Sequence, residues 1–194
     1  MIKEIISIEI DDNAKLNFLG IMLIKDEDKY GGFRVDIQVE LENIKEKFHI
    51  DIATGDPITP KEIRYRYKPI LGENHIDLWA YNIETVLAEK IETILSRAEL
   101  NGRMRDFYDV YLIYTKDFKN INIANFRKAI DKTFFKREYV GNPVATINLL
   151  RDSSLIRSRW KIYQRKYEYA KDIDFDDILN CIEYYIKIIF INIK

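Results

Sequence analysis

Residues 81–97 read YNIETVLAEKIETILSR, and the spacing of their apolar side chains predicts an amphipathic helix. The apolar residues recur at intervals of three and four, which is one face of a helix: Leu87, Ile91, Ile94 and Leu95. Tyr81 or Asn82 lies where a helix cap belongs, and Asn101-Gly102 ends the helix. This stretch therefore marks the start of a helical region.

Downstream of it the helical spacing continues to the end of the chain. Another helix begins near Arg103, and four more are predicted over residues 123–135, 143–150, 156–169 and 175–190. Asn142-Pro143 and Asp172 or Asp174 are suitable starts for two of these. The apolar run 182–193 contains Glu183 and Lys187 and is too short to span a bilayer, so it is expected to be a buried terminal helix.

Upstream, the pattern changes to a period of two, which indicates strands. Residues 33–41 alternate cleanly after a turn at Tyr30-Gly31-Gly32, and Ile6, Ile8 and Ile10 alternate less cleanly. Polar residues 42–47 are interpreted as a connection to a strand at 48–53, and short strands are predicted at 63–67 and 76–79. The sequence thus predicts an α+β protein, with a mostly antiparallel mixed sheet in residues 1–80 and a helical domain in residues 81–194.

The composition narrows the function classes. The chain has 194 residues, of which 47% are hydrophobic, and 31 Lys and Arg against 32 Asp and Glu give a net charge of -1. General attraction to nucleic acid is therefore excluded, although a local basic face is not. Cys181 is the single cysteine, so no intramolecular disulfide can form, and without a cluster of Cys and His a structural zinc site is not expected. The N-terminus has no signal-peptide pattern. A cytoplasmic protein is expected.

Three segments carry candidate chemistry. The first, residues 48–57, reads FHIDIATGDP and sets Asp51 between apolar neighbours on a strand. The side chain of such an aspartate points to one face of the sheet, while its neighbours point into the core. On that face its carboxylate could bind a metal ion. Taken alone, the pattern is more typical of an aspartate on a solvated strand face.

The second segment is the helix itself, in which Lys90 and Arg97 lie two turns apart on one stripe. Two such cations could grip the phosphates of a nucleotide, although a basic stripe is usually only solvated. The third, residues 101–111, reads NGRMRDFYDVY. Its spacing predicts Arg103–Asp106 and Arg105–Asp109 ion pairs, worth about 0.3–0.5 kcal/mol each on a surface, or an aspartate that an arginine holds to orient a lysine.

In this order and spacing, the three segments resemble the AbiEii/AbiGii nucleotidyltransferase toxin family. The resemblance covers almost the whole chain and implies a polymerase-β-like enzyme, usually the toxin of a bacterial toxin–antitoxin or abortive-infection system. Such enzymes bind a nucleoside triphosphate with Mg²⁺, and characterised relatives add nucleotides to the acceptor end of tRNA. The cognate antitoxin is expected to act on transcription rather than by direct binding.

The resemblance assigns roles residue by residue. Asp51 corresponds to the third metal-binding carboxylate, and the catalytic set is Asp51, Lys90 and Asp106. The residues expected to bind the nucleotide are Lys90, Arg97, Arg103 and Asp109.

One part of the family pattern is not found. Members begin with a Gly-rich turn and an Asp-x-Asp strand, which supply two more metal ligands, whereas residues 5–12 already resemble the segment on the C-terminal side of that module. Neither Gly31-Gly32 with Asp36 nor Asp172-x-Asp174 substitutes for it. One carboxylate cannot hold two Mg²⁺ ions, so the chain is expected to transfer nucleotides poorly or not at all. N-terminal truncation, a remnant without the module, and a non-catalytic protein that binds nucleotide or RNA are the three interpretations.

Two further expectations concern partners. A sheet that lacks a strand would have an open edge and an uncovered apolar face, which favours poor solubility or a dimer formed through that edge. Residues 157–167, RSRWKIYQRKY, interleave cations with aromatic residues in a way that would suit contact with RNA. An amphipathic helix with buried aromatic and solvated charged side chains is the preferred interpretation.

Overall fold

A computed structural model describes residues 2–8, 13–24 and 31–190 of the chain. The strands are β1 (Lys15–Ile24), β2 (Gly32–Leu41), β3 (Ile44–Ala53), β4 (Ile63–Tyr67) and β5 (Ile76–Ala80). The helices are α1 (Ile2–Ile6), α2 (Ile83–Arg97), α3 (Met104–Asp117), α4 (Ile123–Lys136), α5 (Pro143–Asp152), α6 (Ser154–Lys166) and α7 (Phe175–Phe190). The predicted α+β class is confirmed.

The chain divides into two compact units, Met1–Asp56 and Pro57–Lys194. The first contains α1 and an antiparallel sheet in the order β1-β2-β3, and the second contains the antiparallel β4–β5 hairpin and the remaining helices. The division into domains 1–80 and 81–194 stays a prediction.

The β2–β3 hairpin corrects the predicted connection at residues 42–47. Strand β3 begins at Ile44, and Leu41 pairs directly with Ile44, so the loop is only Glu42 and Asn43. The charged residues at 45–47 suggested a loop, but they lie on an exposed strand that can carry charge. Glu42 has φ of +51°, a left-handed conformation that favours Gly or Asn. The turn therefore lacks its usual sequence signal.

The beginning of the chain also differs from the prediction. Ile6 ends helix α1 rather than beginning a strand, Ile8 lies outside any strand, and Ile10 is outside the described residues. The isoleucines at positions 2, 5 and 6 have helical spacing as well, and an apolar run this short is ambiguous. Strand β1 was not predicted, because a register shift between Phe18 and Gly20 breaks its alternation.

The three-stranded sheet has one mainly apolar and one polar face, as the alternation of β2 predicts. Val35 and Ile37 at its centre are buried, whereas Phe33, Phe48 and Ile50 remain 41–42% exposed. Arg34, Asp36, Gln38 and Glu40 lie on the other face, opposite Asp51, His49, Lys47 and Lys45 of β3. Dimer formation through this sheet stays a prediction.

The main core lies among the helices of the second unit. It contains side chains from α2 to α7, including Leu87, Phe107, Phe126, Trp160 and Tyr185. The predicted helix starts are confirmed, because Asn82, Asn142 and Asp174 accept hydrogen bonds from backbone N–H groups two or three residues further along the chain. Helix α7 is buried along one side, as predicted for the terminal apolar segment, and residues 191–193 of that segment lie outside the described residues. Among the described helices, none is long and apolar enough to cross a membrane.

Candidate functional site

The first turn of α2 is tied to the chain segment before it, which fixes the helix that carries Lys90. Asn82 Oδ1 accepts a hydrogen bond of 2.8 Å from the Thr85 backbone N–H, and Asn82 Nδ2 donates to the Lys61 carbonyl at 2.8 Å. Thr85 Oγ1 accepts from the Thr59 N–H at 2.9 Å and donates to the Thr59 carbonyl at 3.1 Å. Leu87 and Ile91 then anchor the helix in the core, which leaves Lys90 at its edge.

The turn between α2 and α3 is fixed just as firmly. The Asn101 side chain is fully buried, accepts a hydrogen bond of 2.8 Å from the Arg103 N–H and donates to the Thr93 carbonyl. Arg159 Nη1 donates to the carbonyls of Glu99 and Asn101 at 2.9 and 3.1 Å. Helix α3 consequently begins at a defined place and angle beside α2.

These two helices bring together five charged side chains, which we call the Lys90 cluster: Lys90, Arg103, Arg105, Asp106 and Asp109. Lys90 Nζ lies 3.1 Å from Asp106 Oδ1 and 2.6 Å from Asp109 Oδ2. The predicted helix pairs are confirmed, with Arg103 Nε 2.7 Å from Asp106 Oδ2 and Arg105 Nε 3.9 Å from Asp109 Oδ2. The contact at 2.7 Å is an ion pair without the alignment of a hydrogen bond. Cations and carboxylates therefore alternate through the cluster.

Burial strengthens the inner part of this network. The Asp106 side chain is only 5% exposed and that of Lys90 20%, whereas the two arginines face water. An ammonium group has three N–H donors, and the two carboxylates accept from two of them. Three cations against two carboxylates leave the cluster with one net positive charge. Its chemistry suits the binding of an anion such as phosphate, with the aspartates holding the lysine in place.

Arg97, which was predicted to share the stripe of Lys90, is half-buried in the last turn of α2. Thr93 and Ile94, which lie between the two cations along the helix, are both buried. The role of Arg97 in binding a nucleotide stays a prediction.

Asp51 belongs to the first unit, on the polar face of the three-stranded sheet. Arg34 on β2 donates from Nε and Nη2 to the two carboxylate oxygens of Asp51, both at 2.7 Å. This hydrogen bonding by Arg34 lowers the pKa of the Asp51 carboxyl, and Asp51 in turn raises the pKa of Arg34. Asp51 is thus kept charged, as a metal ligand must be, but both of its oxygens contact a cation.

The donor groups around Asp51 do not by themselves fit a magnesium site. Within the described part of the chain, no group of three or more His, Cys, Asp or Glu side chains is placed to hold a metal ion. Mg²⁺ prefers an octahedral set of oxygen ligands, whereas the nearest strong partner of Asp51 is a guanidinium. Metal binding at Asp51 stays a prediction that requires Arg34 to release it.

Arg34 is the functional-site neighbour that the sequence analysis missed. A two-residue hairpin at Glu42 and Asn43 pairs residues whose numbers sum to 85, which sets Arg34 opposite Asp51. The signal was therefore present in the loop length, but the loop has neither Gly nor an Asn-Gly pair to reveal it.

Comparison with protein families shows to which family the chain belongs. The model described as "Nucleotidyl transferase AbiEii toxin, Type IV TA system" matches residues 3–181. The chain belongs to this family. The match includes both Asp51 and the Lys90 cluster, so the segments on which the resemblance was based are all within it.

Two other comparisons add little to the AbiEii assignment. No curated protein matches the chain. Among solved structures, a crystal structure of a "putative nucleotidyltransferase from H. pylori" matches with a TM-score of 0.38 and 12% sequence identity. The match covers 90% of this chain and 66% of that one, so this chain spans just under two thirds of its length. A TM-score this low indicates only loose agreement between the two folds.

Proposed function

We propose that this chain takes part in the transfer of a nucleoside monophosphate from a nucleoside triphosphate to RNA, with tRNA as the acceptor. The observation that carries the proposal is the Lys90 cluster, in which a half-buried lysine is held by two aspartates at 3.1 and 2.6 Å. From the resemblance of their segments, we infer that Lys90 and Asp106 correspond to the catalytic lysine and aspartate of the AbiEii family. The family match supports the reaction class.

Each residue of the cluster has a proposed task. The third N–H of Lys90 binds a phosphate oxygen, with Arg103 and Arg97 adding positive charge. Asp106, which Arg103 contacts at 2.7 Å, keeps Lys90 in position, and Asp109 fixes it from the other side. Positioning of the phosphates and stabilisation of charge are what phosphoryl transfer chiefly requires of a protein.

The 194 residues by themselves are expected to transfer nucleotides poorly or not at all. They contain no Gly-rich turn with an Asp-x-Asp strand after it, and Asp51 is a single candidate metal ligand. Requirement for Mg²⁺ and an antitoxin that acts on transcription remain expectations from the resemblance, and location in the cytoplasm remains an expectation from the composition.

A second candidate function is a non-catalytic protein that binds nucleotide or RNA on the same scaffold. The specific observation in its favour is the Arg34–Asp51 pair, in which both carboxylate oxygens already have a partner at 2.7 Å. In this case the Lys90 cluster would bind phosphate without any metal-dependent reaction.

One experiment distinguishes the two candidates. The folded chain is incubated with bulk tRNA, Mg²⁺ and each labelled nucleoside triphosphate, and both labelling of tRNA and retention of triphosphate are measured. Lys90→Ala and Asp106→Asn are compared with Lys132→Ala, which removes an exposed lysine from α4. Labelling that only the first two variants lose supports the enzyme. Retention without labelling, again lost in Lys90→Ala, supports the binding protein. If the folded protein neither labels tRNA nor retains triphosphate, both candidate functions are contradicted.

A further inference from the structure

Four tyrosines form a connected surface cluster in the second unit, which we call the tyrosine platform: Tyr108, Tyr163, Tyr167 and Tyr169. The Tyr167 and Tyr169 rings stack with centroids 5.4 Å apart and planes at 25°. Tyr108 packs against Tyr169 and Tyr163 against Tyr167, both at 4.6 Å between centroids. The hydroxyls of Tyr163 and Tyr169 share a hydrogen bond of 2.9 Å. The platform is therefore held in one arrangement rather than being four independent rings.

The platform has an inner and an outer layer. Tyr108 and Tyr163 are half-buried and pack against the helical core. Tyr169 is 52% exposed, so about half of the surface of this residue faces water. The exposure of Tyr169 differs from the burial in a second aromatic group of the same unit. That group includes Tyr114, Phe118, Tyr184 and Tyr185, and Tyr185 at its centre is completely buried. Burial of Tyr185 accounts for the packing of that group, whose most exposed ring, Tyr184, is 36% exposed, whereas Tyr169 of the platform is 52% exposed.

The platform adjoins the Lys90 cluster. Tyr108 directly precedes Asp109 on α3, and on α6 Tyr163 is close enough to Asp109 and Arg105 for their charges to act on its hydroxyl. Burial raises the pKa of Tyr163, and Tyr169 and Asp109 raise it further, so the phenol of Tyr163 stays neutral. An aromatic surface and a phosphate-binding group therefore lie side by side.

The cations of α6 fall into two classes that the sequence alone did not separate. Arg157 pairs with Asp176, and Arg159 donates to backbone carbonyls, so both have structural partners. Lys166, in contrast, is exposed, and its Nζ lies 5.4 Å from the centroid of the Tyr167 ring. Arg105, with a side chain 81% exposed, lies at the edge of the Lys90 cluster, and its charge also acts on the Tyr163 hydroxyl. The platform is thus bordered by two solvent-facing cations.

We propose that the tyrosine platform binds an unpaired base of the acceptor RNA by stacking, with Tyr169 as the outermost ring and Lys166 and Arg105 beside the backbone phosphates. Rings with exposed faces and flanking cations are the combination that recognises single-stranded nucleic acid without reading its sequence. The inference rests on the proposed function, because it places the acceptor strand next to the residues proposed to bind the triphosphate. Tyrosine and arginine also occur in protein interfaces, but the positive border beside a phosphate-binding cluster favours RNA.

The test measures binding rather than transfer. A fluorescently labelled eight-nucleotide oligoadenylate RNA is titrated with the full chain, without Mg²⁺ or triphosphate, and its anisotropy is compared with that of an abasic strand of equal length. Tyr169→Ala is expected to weaken binding of the RNA roughly tenfold, as one lost base stack would, while Tyr169→Phe stays within about twofold of the parent. Tyr65→Ala, which removes a 50% exposed tyrosine from β4, is the matched control and is expected to have no effect.

The outcomes separate this inference from the proposed function. Ring-dependent binding of RNA supports the platform even where no transfer is detected, because the assay contains no triphosphate and so does not depend on transfer. The inference is overturned if the parent binds the abasic strand as tightly as the intact RNA. It is also overturned if Tyr169→Ala, with an unchanged circular dichroism spectrum, binds the RNA as tightly as the parent. Either result leaves the Lys90 proposal standing. Absence of any RNA binding by the folded parent protein also overturns it and points to a protein partner.

Discussion

The Arg34–Asp51 pair and the Lys90 cluster place carboxylates against cations in different surroundings. Arg34 contacts Asp51 with ideal two-pronged geometry at 2.7 Å, yet both side chains are substantially exposed. Asp106 has less regular contacts but is almost completely removed from water. Exposed ion pairs are screened and contribute little, whereas a buried charge that loses its partner is costly.

Regular geometry therefore does not identify the interaction that the fold depends on. Helices α2 and α3 fix the Lys90 cluster through hydrogen bonds on both sides of the α2–α3 turn. Arg34 and Asp51, in contrast, lie on the two strands of one hairpin, and water can replace either side chain as the partner of the other. We expect the cluster to be preorganised and the pair to be exchangeable, a contrast that substitutions, titration and salt can each test.

The largest effect is expected from Asp106→Asn. This substitution keeps the shape of the side chain but removes the charge that faces Lys90 and Arg103. A loss of about 2–3 kcal/mol in the free energy of unfolding is expected, because the side chain is buried and its hydrogen bond is to a charged group. Urea denaturation measures it, and Asp51→Asn is the matched control. Equal midpoints for the two variants would contradict the contrast.

A smaller loss, of about 1 kcal/mol, is expected for Asp109→Asn. Its side chain is more exposed than that of Asp106, and Lys90 retains Asp106 as a partner. Urea denaturation measures this loss as well.

A double-mutant cycle with Lys90→Met and Asp106→Asn should give a coupling energy of about 1–2 kcal/mol between the two side chains. Additive effects within experimental error would show that Lys90 and Asp106 do not act as a unit.

For Asp51 the expected effect is on titration rather than on stability. The pKa of Asp51 is lowered by Arg34, so the pair contributes to stability above the pKa of an unfolded aspartate and loses that contribution as the pH falls through the folded pKa. Because both groups are exposed, no resolved change in unfolding is expected. Carbon-13 NMR should show the Asp51 pKa rising in Arg34→Gln but not in Arg64→Gln, which changes an arginine of β4. An unchanged Asp51 pKa in Arg34→Gln would show that the pair does not persist in solution.

The smallest effect is expected from salt. At about 1 M NaCl the screening length is about 3 Å, which weakens exposed pairs much more than buried ones. The lowering of the Asp51 pKa should shrink, while the stability lost in Asp106→Asn should stay nearly constant. Equal sensitivity of both quantities to salt would mean that the Lys90 cluster is as accessible to water as the sheet pair.

Much of the helical half could be predicted from the sequence because its signals are local. Asn82, Asn142 and Asp174 mark helix starts, and apolar spacing locates α2 to α7 to within a few residues. The i, i+3 and i, i+4 ion pairs of α3 resulted from the same periodicity. Strand β1 and the start of β3 were not predictable in this way, since a register shift hides one and charged residues hide the other.

Spacing and motifs along the chain were enough to predict the α+β class and the family, which are both confirmed. They also named candidate phosphate-binding residues, whose role stays a prediction. Which charges meet across different helices or strands depends on the tertiary structure. Lys90 and Asp106 are sixteen residues apart, and Arg34 and Asp51 seventeen, so helix packing and strand register bring them together. The tertiary structure also separated Arg157, which has a structural partner, from Lys166 beside the tyrosine platform. Burial depends on the packing of all elements at once, and no local pattern encodes it.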